Sequence, residues 1–228
     1  MTDPPSRTLG VAFSDGDRVS RVAGAVLRSD FALDGLAYGS CTVGGTDATD
    51  AVVDLTADLG REDVRHVCIA GVAPAWFNLL DLRRIHEALD RPLSAVSYEA
   101  SPGLEPALRE AFDGDGDGDD DGDGDGDDDG DGDGDDDGDG DDDDDDALAD
   151  RLARYRSLPS RRRVDRPDDP APSADPLFVR AVGVDDDRAV EVVRSLVREG
   201  FRRPEPLRVA AIAASAHREA VPDAPLGP

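Results

Sequence analysis

Three stretches near the start of the chain are built from apolar residues set among small and polar ones. "TLGVAFS" (8–14) is a short apolar run, and the Asp-Gly-Asp after it supplies turn chemistry. "VSRVAGAVLRS" (19–29) has the character of a strand with Gly24 inside it. "FALDGLAYGSCTV" (31–43) alternates with a period of two, its register loosened by Gly35 and Gly39. Short connections between three consecutive strands predict an antiparallel meander.

The period then lengthens. Ala48, Ala51, Val52, Leu55 and Leu59 recur at helical spacing, with Thr46 or Asp47 suited to the N-cap and Gly60 to the end. "RHVCIAG" predicts a short buried strand. In "NLLDLRRIHEALD", Leu79, Leu82, Ile85, His86 and Leu89 share one helical face, and "PLSAVSYEA" predicts a further strand. "LEPALREAF" and "ALADRLARYRSL" read as helices on either side of an Asp/Gly tract. "RRRVDRPDDPAPSADP" shows no periodicity and predicts an irregular connection. "LFVRAVGV" predicts a strand, "DDDRAVEVVRSLVREG" a helix with an acidic start and a Gly end, and "PEPLRVAAIAASAHREA" a last helix.

Three meandering strands followed by alternating helices and strands is the ribonuclease H-like order, an α/β mixed sheet with helices on both faces. The predicted organisation is one such domain, residues 1–112 and 147–228, interrupted by an insertion at 113–146. That insertion contains only 23 Asp and 11 Gly. Without apolar residues it has nothing to bury, so disorder is expected. A calcium-loop reading lacks the downstream bidentate Glu.

The formal charge of −28 loses most of its weight once the insertion is set aside, leaving about −5 on the other 194 residues. All 25 basic residues are arginine. An aspartate-rich, lysine-free composition resembles proteins of salt-accumulating archaea. There the Debye length is ~3 Å or less and phosphate binding by counterion release weakens steeply. Cys41 and Cys68 lack metal spacing and are expected to be buried, reduced thiols. His66, His86 and His217 show no ligand spacing, which predicts core or surface roles. The N-terminus has no apolar h-region and no run reaches membrane-spanning length, so a cytoplasmic protein without a membrane is expected.

Five motifs in order carry a family resemblance: "FSDG" at Phe13, "GTDATD" at Gly45, "GVAPAWFNLLDLRRI" at Gly71, "VRAVGVDDDRAVEVV" at Val179 and "PEPLRVA" at Pro204. Together they resemble the archaeal family known as domain of unknown function 99, or endonuclease dU, a relative of endonuclease V. The resemblance implies a metal-dependent endonuclease that hydrolyses DNA containing a deaminated, deoxyuridine-type base in repair, using Mg²⁺ or Mn²⁺. It implies Asp15 and Asp47 as metal ligands, with Asp81 as the third catalytic carboxylate. Three acids common in the family's motifs are replaced here, by Ser14, Gly44 and Ala70. A member that binds nucleic acid or protein without catalysis is the alternative expectation.

The residues themselves leave other roles open. Asp15 follows a strand and suits a turn, Asp47 suits a helix cap, and Asp81 lies where a helix dipole favours an acid. Trp76 and Phe77 are expected either to stack on a base or to plug the loop. Asn78 is expected either to cap the next helix or to face outward to a base edge.

Overall fold

The computed structural model describes residues 3–98, 103–112, 141–165 and 176–221, with the backbone alone for 141–146. The contacts divide the chain into two units, 1–102 with 157–228, and 103–156.

In the larger unit the expected meander is present: β1 (Arg7–Asp15), β2 (Val19–Arg28) and β3 (Leu33–Thr42). Asp15 pairs with Ser20, and Ser20 with Cys41. β4 (His66–Ala70) joins β1 in parallel, and β5 (Leu93–Ser97) joins β4 in parallel. β7 (Leu177–Val182) returns antiparallel to β5 and carries β6 (Arg162–Val164) on its far side, completing the order β3-β2-β1-β4-β5-β7-β6. β6 lies in the stretch expected to be irregular. Three residues are too few to show a period, and pairing with β7 decides their conformation. Residues 166–175 of that connection lie outside the described residues.

Alternation along the strands sorts the core into two layers. Leu9, Val11, Val22, Val26, Val67 and Ile69 pack with α1 (Ala48–Leu59) and α3 (Leu82–Leu89), whose apolar faces supply Val52, Leu55, Leu82 and Ile85. Ala12, Ala25 and Leu27 pack on the opposite face against α7 (Glu205–Ala220), while Cys68, Val96 and Val179 pack with α6 (Asp186–Ser195). α7 seats closely because Gly10 has no side chain. A Cβ there would come within 2.3 Å of the Pro206 carbonyl.

Several boundaries differ from the sequence pattern. The helix expected from Asn78 begins at Leu82, because Asp81 caps it. The helix expected to reach Gly200 ends at Ser195, and Val197 instead bridges to Pro204. α1 ends as expected, with Gly60 left-handed at φ 60°.

The smaller unit holds α4 (Glu105–Phe112) and α5 (Asp141–Ser157). Arg156 donates to Glu105 at 2.6 Å, Tyr155 Oη accepts the Leu104 N–H at 3.1 Å, and Arg151 lies over the Phe112 ring. The tract expected to be disordered lies outside the described residues over 113–140, while its last six aspartates open α5.

Candidate functional site

Where β1 and β3 finish and β2 begins, a row of polar side chains crosses three strands. Asp15 closes β1, and its carboxylate accepts from Ser20 Oγ at 2.6 Å. Ser20 stands opposite Cys41. Thr42 follows, and both its N–H and its hydroxyl donate to Asp47, at 3.0 and 2.9 Å. Burial, then the charges of Asp47 and Asp15, push the Cys41 thiol up to about 12. It is therefore protonated at neutral pH and no nucleophile. Cys41 and Cys68 are both free and buried, as expected.

The Asp47 side chain makes no cap hydrogen bond with its own helix. Its carboxylate turns back to Thr42 and accepts Asn78 Nδ2 at 2.7 Å. Burial alone would raise its pKa, but the bonds from Asn78 and Thr42 hold it below the ordinary carboxylate value.

Asn78 supplies the missing cap. Its Oδ1 accepts the Ala48 N–H at 3.0 Å, and its second amide hydrogen goes to the Thr42 carbonyl at 2.9 Å. With 0% of its surface exposed and both amide hydrogens engaged, Asn78 does not face outward to a base. The cause is simple: the Asn78 amide is itself buried, and leaving it and the buried Ala48 N–H unpaired costs more than one solvent-facing contact returns. Asp81 likewise serves locally. It caps α3 by accepting from the Arg83 and Arg84 N–H groups at 3.1 and 3.0 Å, while Thr49 Oγ1 accepts its own N–H.

The connection after β4 contains a backbone of unusual hand. In α2 (Pro74–Phe77), Ala75 has φ 50° and ψ 52°, Trp76 has φ 51° and ψ 74°, and Phe77 has φ 60°. Non-glycine residues in this region cost roughly 1–2 kcal/mol each. Tight backbone bonds hold the turn, from Asn78 N–H to Pro74 at 3.0 Å and from Gly44 N–H to Ala75 at 2.7 Å. Its effect is to bury Ala75 and leave Trp76 51% exposed, edge-on to Phe77 at 5.8 Å. Ala75, not Trp76, is the plug. The indole also lies over Gly44, where an added Cβ would approach it to 2.9 Å.

The histidines have non-ligand environments. His66 is buried against Ser94, His86 meets the Arg91 carbonyl, and His217 stacks on Tyr38. Among the described residues no three His, Cys, Asp or Glu side chains converge as a metal-holding group. Asp15 and Asp47 flank Cys41, but Asp47 has both oxygens engaged in hydrogen bonds. This donor set does not fit a divalent ion held by protein ligands alone.

The endonuclease dU family model matches residues 5–118 and 143–218. The chain belongs to the endonuclease dU family. Its relatives include a UPF0215 protein of Thermococcus kodakarensis, 27% identical over 195 residues, spanning 85% of this chain and 78% of that protein. A UPF0215 protein of Thermococcus gammatolerans is 25% identical over 222 residues, spanning 93% and 92%. Among solved structures, a protein of unknown function from Archaeoglobus fulgidus superposes with a TM-score of 0.67 at 19% identity, over 92% of this chain and 97% of that one. Endonuclease V of Bacillus subtilis gives 0.53 at 11%, over 94% and 81%. Ciona intestinalis endonuclease V, in complex with a DNA containing an inosine, gives 0.52 at 10%, over 94% and 86%. These likenesses establish an endonuclease V-type fold.

Within this endonuclease dU member Ser14, Gly44 and Ala70 fall at the same end of the sheet. Ser14 precedes Asp15 on β1, Ala70 ends β4, and Gly44 follows β3. Gly44 is left-handed at φ 74° with Trp76 packed over it, so a side chain at that position conflicts with the indole. Ser20, Thr42 and Thr49 escape sequence reasoning, because register and tertiary contact alone give them their partners.

Proposed function

We propose that this endonuclease dU member engages DNA carrying a deaminated, deoxyuridine-type base, in repair, at the edge formed by Asp15, the Asp47 network and Trp76. The observation that carries this reading is the exposed Trp76 on a left-handed turn, fixed beside the polar row. Residues held in costly backbone regions cluster at ligand sites, and an exposed indole offers a stacking face to an unstacked base. The Ciona endonuclease V complex, with its inosine-containing DNA, supports the ligand class through a shared fold.

Two chemistries are compatible with that edge. The donor geometry favours binding without a resident ion: Asp47 is engaged by Thr42 and Asn78, Asp81 caps a helix, and Trp76 fills the space over Gly44. The second reading is hydrolysis of the DNA with Mg²⁺ or Mn²⁺. Family membership favours it, and Mg²⁺ needs only one or two protein carboxylates when substrate phosphates complete its shell. Asp15 is the carboxylate best placed for that, with Phe77 beside Trp76 as part of the substrate wall.

Incubation with deoxyuridine- and deoxyinosine-containing duplexes at high salt, with Mg²⁺, Mn²⁺ or EDTA, separates the readings. Binding without cleavage is expected to show lesion-selective retention in EDTA and no nicking with either metal. Metal-dependent nicking that disappears in Asp15→Asn establishes hydrolysis. Equal affinity for damaged and undamaged duplex defeats both.

A further inference from the structure

The early end of α6 creates a second surface that the edge site does not use. Val197 pairs with Pro204 as an isolated antiparallel bridge, closing a loop over residues 198–203. Phe201 N–H bonds back to Arg198 at 3.0 Å, and the loop bends at Gly200, φ 79°. From Arg194 to Arg208 the sequence carries five arginines against Glu199 and Glu205, a balance of +3 in a strongly acidic chain.

Aromatic rings interleave these guanidinium groups. Arg198 and Arg208 each lie 5.4 Å from the Phe201 ring centroid, Arg198 also approaches Phe31, and Arg203 lies 4.8 Å over Tyr98. A buried carboxylate orders the arrangement. Glu205, 3% exposed, accepts two bonds from Arg208 at 2.6 and 2.8 Å and one from Arg198 at 3.3 Å. Phe201 still keeps 43% of its surface open, and Arg202 and Arg203 are exposed.

We propose that the 198–203 loop, with Arg208 and Tyr98, is a docking surface for single-stranded DNA. Guanidinium planes and aromatic rings in one preordered array suit unpaired bases, which stack, and phosphates, which take paired N–H donors. A stapling role alone would bury Phe201 rather than leave it open. Stacking also resists the concentrated salt that the lysine-free composition suits, whereas counterion release does not. The proposal rests on the reading that this protein works on DNA, and names a different part of that DNA: undamaged single strand rather than the altered base.

The test is fluorescence anisotropy of the full chain with labelled, lesion-free oligothymidylate in EDTA across a salt series. The wild-type chain is expected to bind with a shallow salt dependence. Phe201→Ala should weaken binding about 5- to 150-fold, the range of one lost base stack. Arg203→Gln, at an exposed side chain, provides a second variant. No binding by the wild-type chain, equal binding by both loop variants, equal affinity for duplex, or displacement by poly-aspartate as effective as by DNA each overturns the proposal. Equal wild-type affinity for damaged and undamaged duplex, with oligothymidylate binding intact, defeats the edge-site reading instead.

Discussion

Asn78 caps a helix that begins thirty residues before it: its side-chain oxygen accepts the Ala48 N–H at 3.0 Å while its amide holds Asp47 at 2.7 Å. One buried side chain thus joins the end of β3, the start of α1 and the turn that displays Trp76. Its removal leaves the Ala48 N–H without its partner and takes one donor each from the Thr42 carbonyl and the Asp47 carboxylate. Asn78→Ala is expected to cost at least about 2 kcal/mol in denaturant unfolding at fixed salt. Asn78→Asp, which places a second carboxylate against Asp47, should cost as much and become less harmful as pH falls. A loss within error of zero would show that the cap is dispensable.

Gly44 and Trp76 form a second coupled pair. Gly44 sits at φ 74° under the indole, so Gly44→Ala meets both backbone strain and a steric clash, for about 1–3 kcal/mol. Adding Trp76→Gly removes the clash but not the strain. The double variant should therefore be more stable than the sum of the two single changes predicts. Additive values in the thermodynamic cycle would disprove the contact.

Trp76→Gly alone separates stability from recognition. Glycine accepts φ 51° without strain, a relief of roughly 1–2 kcal/mol that offsets the packing lost from a half-exposed ring. Unfolding stability is expected to stay level or rise, while affinity for lesion-containing DNA falls about tenfold or more. Unchanged affinity would remove Trp76 from the site.

His66 gives the fold a predictable acid response. Burial, followed by the charge of Arg188, lowers its pKa from 6.5 to about 4. The unfolded chain therefore binds a proton that the folded chain refuses. Its stabilising contribution is complete above about pH 6.5 and is lost as pH falls toward 4, on the order of 3 kcal/mol in all. The slope of unfolding free energy between these pH values should flatten in His66→Gln, which keeps a polar partner for Ser94. An unchanged slope would assign the acid response to other groups.

Much of the scaffold was legible in the amino-acid order alone. Periods of two and of about 3.6 mark β1 to β3, α1, α3 and α7, because each element must turn one apolar face inward wherever it lies. Gly60 and Asp185 act at the helix ends as their types suggest, since a cap needs only its immediate neighbours. The three residues of β6 carry no such signal and owe their conformation to β7.

The candidate site divides along the same line. Sequence by itself determined which acids and aromatics were available, and that positions 14, 44 and 70 carry Ser, Gly and Ala. Tertiary structure alone decided their use. Asp47 left its cap for Thr42, Asn78 took that cap from across the fold, Asp81 stayed at α3, and a left-handed turn buried Ala75 and exposed Trp76. The physical reason is that a buried polar group must find a partner in space, and chain order does not say which one it will be.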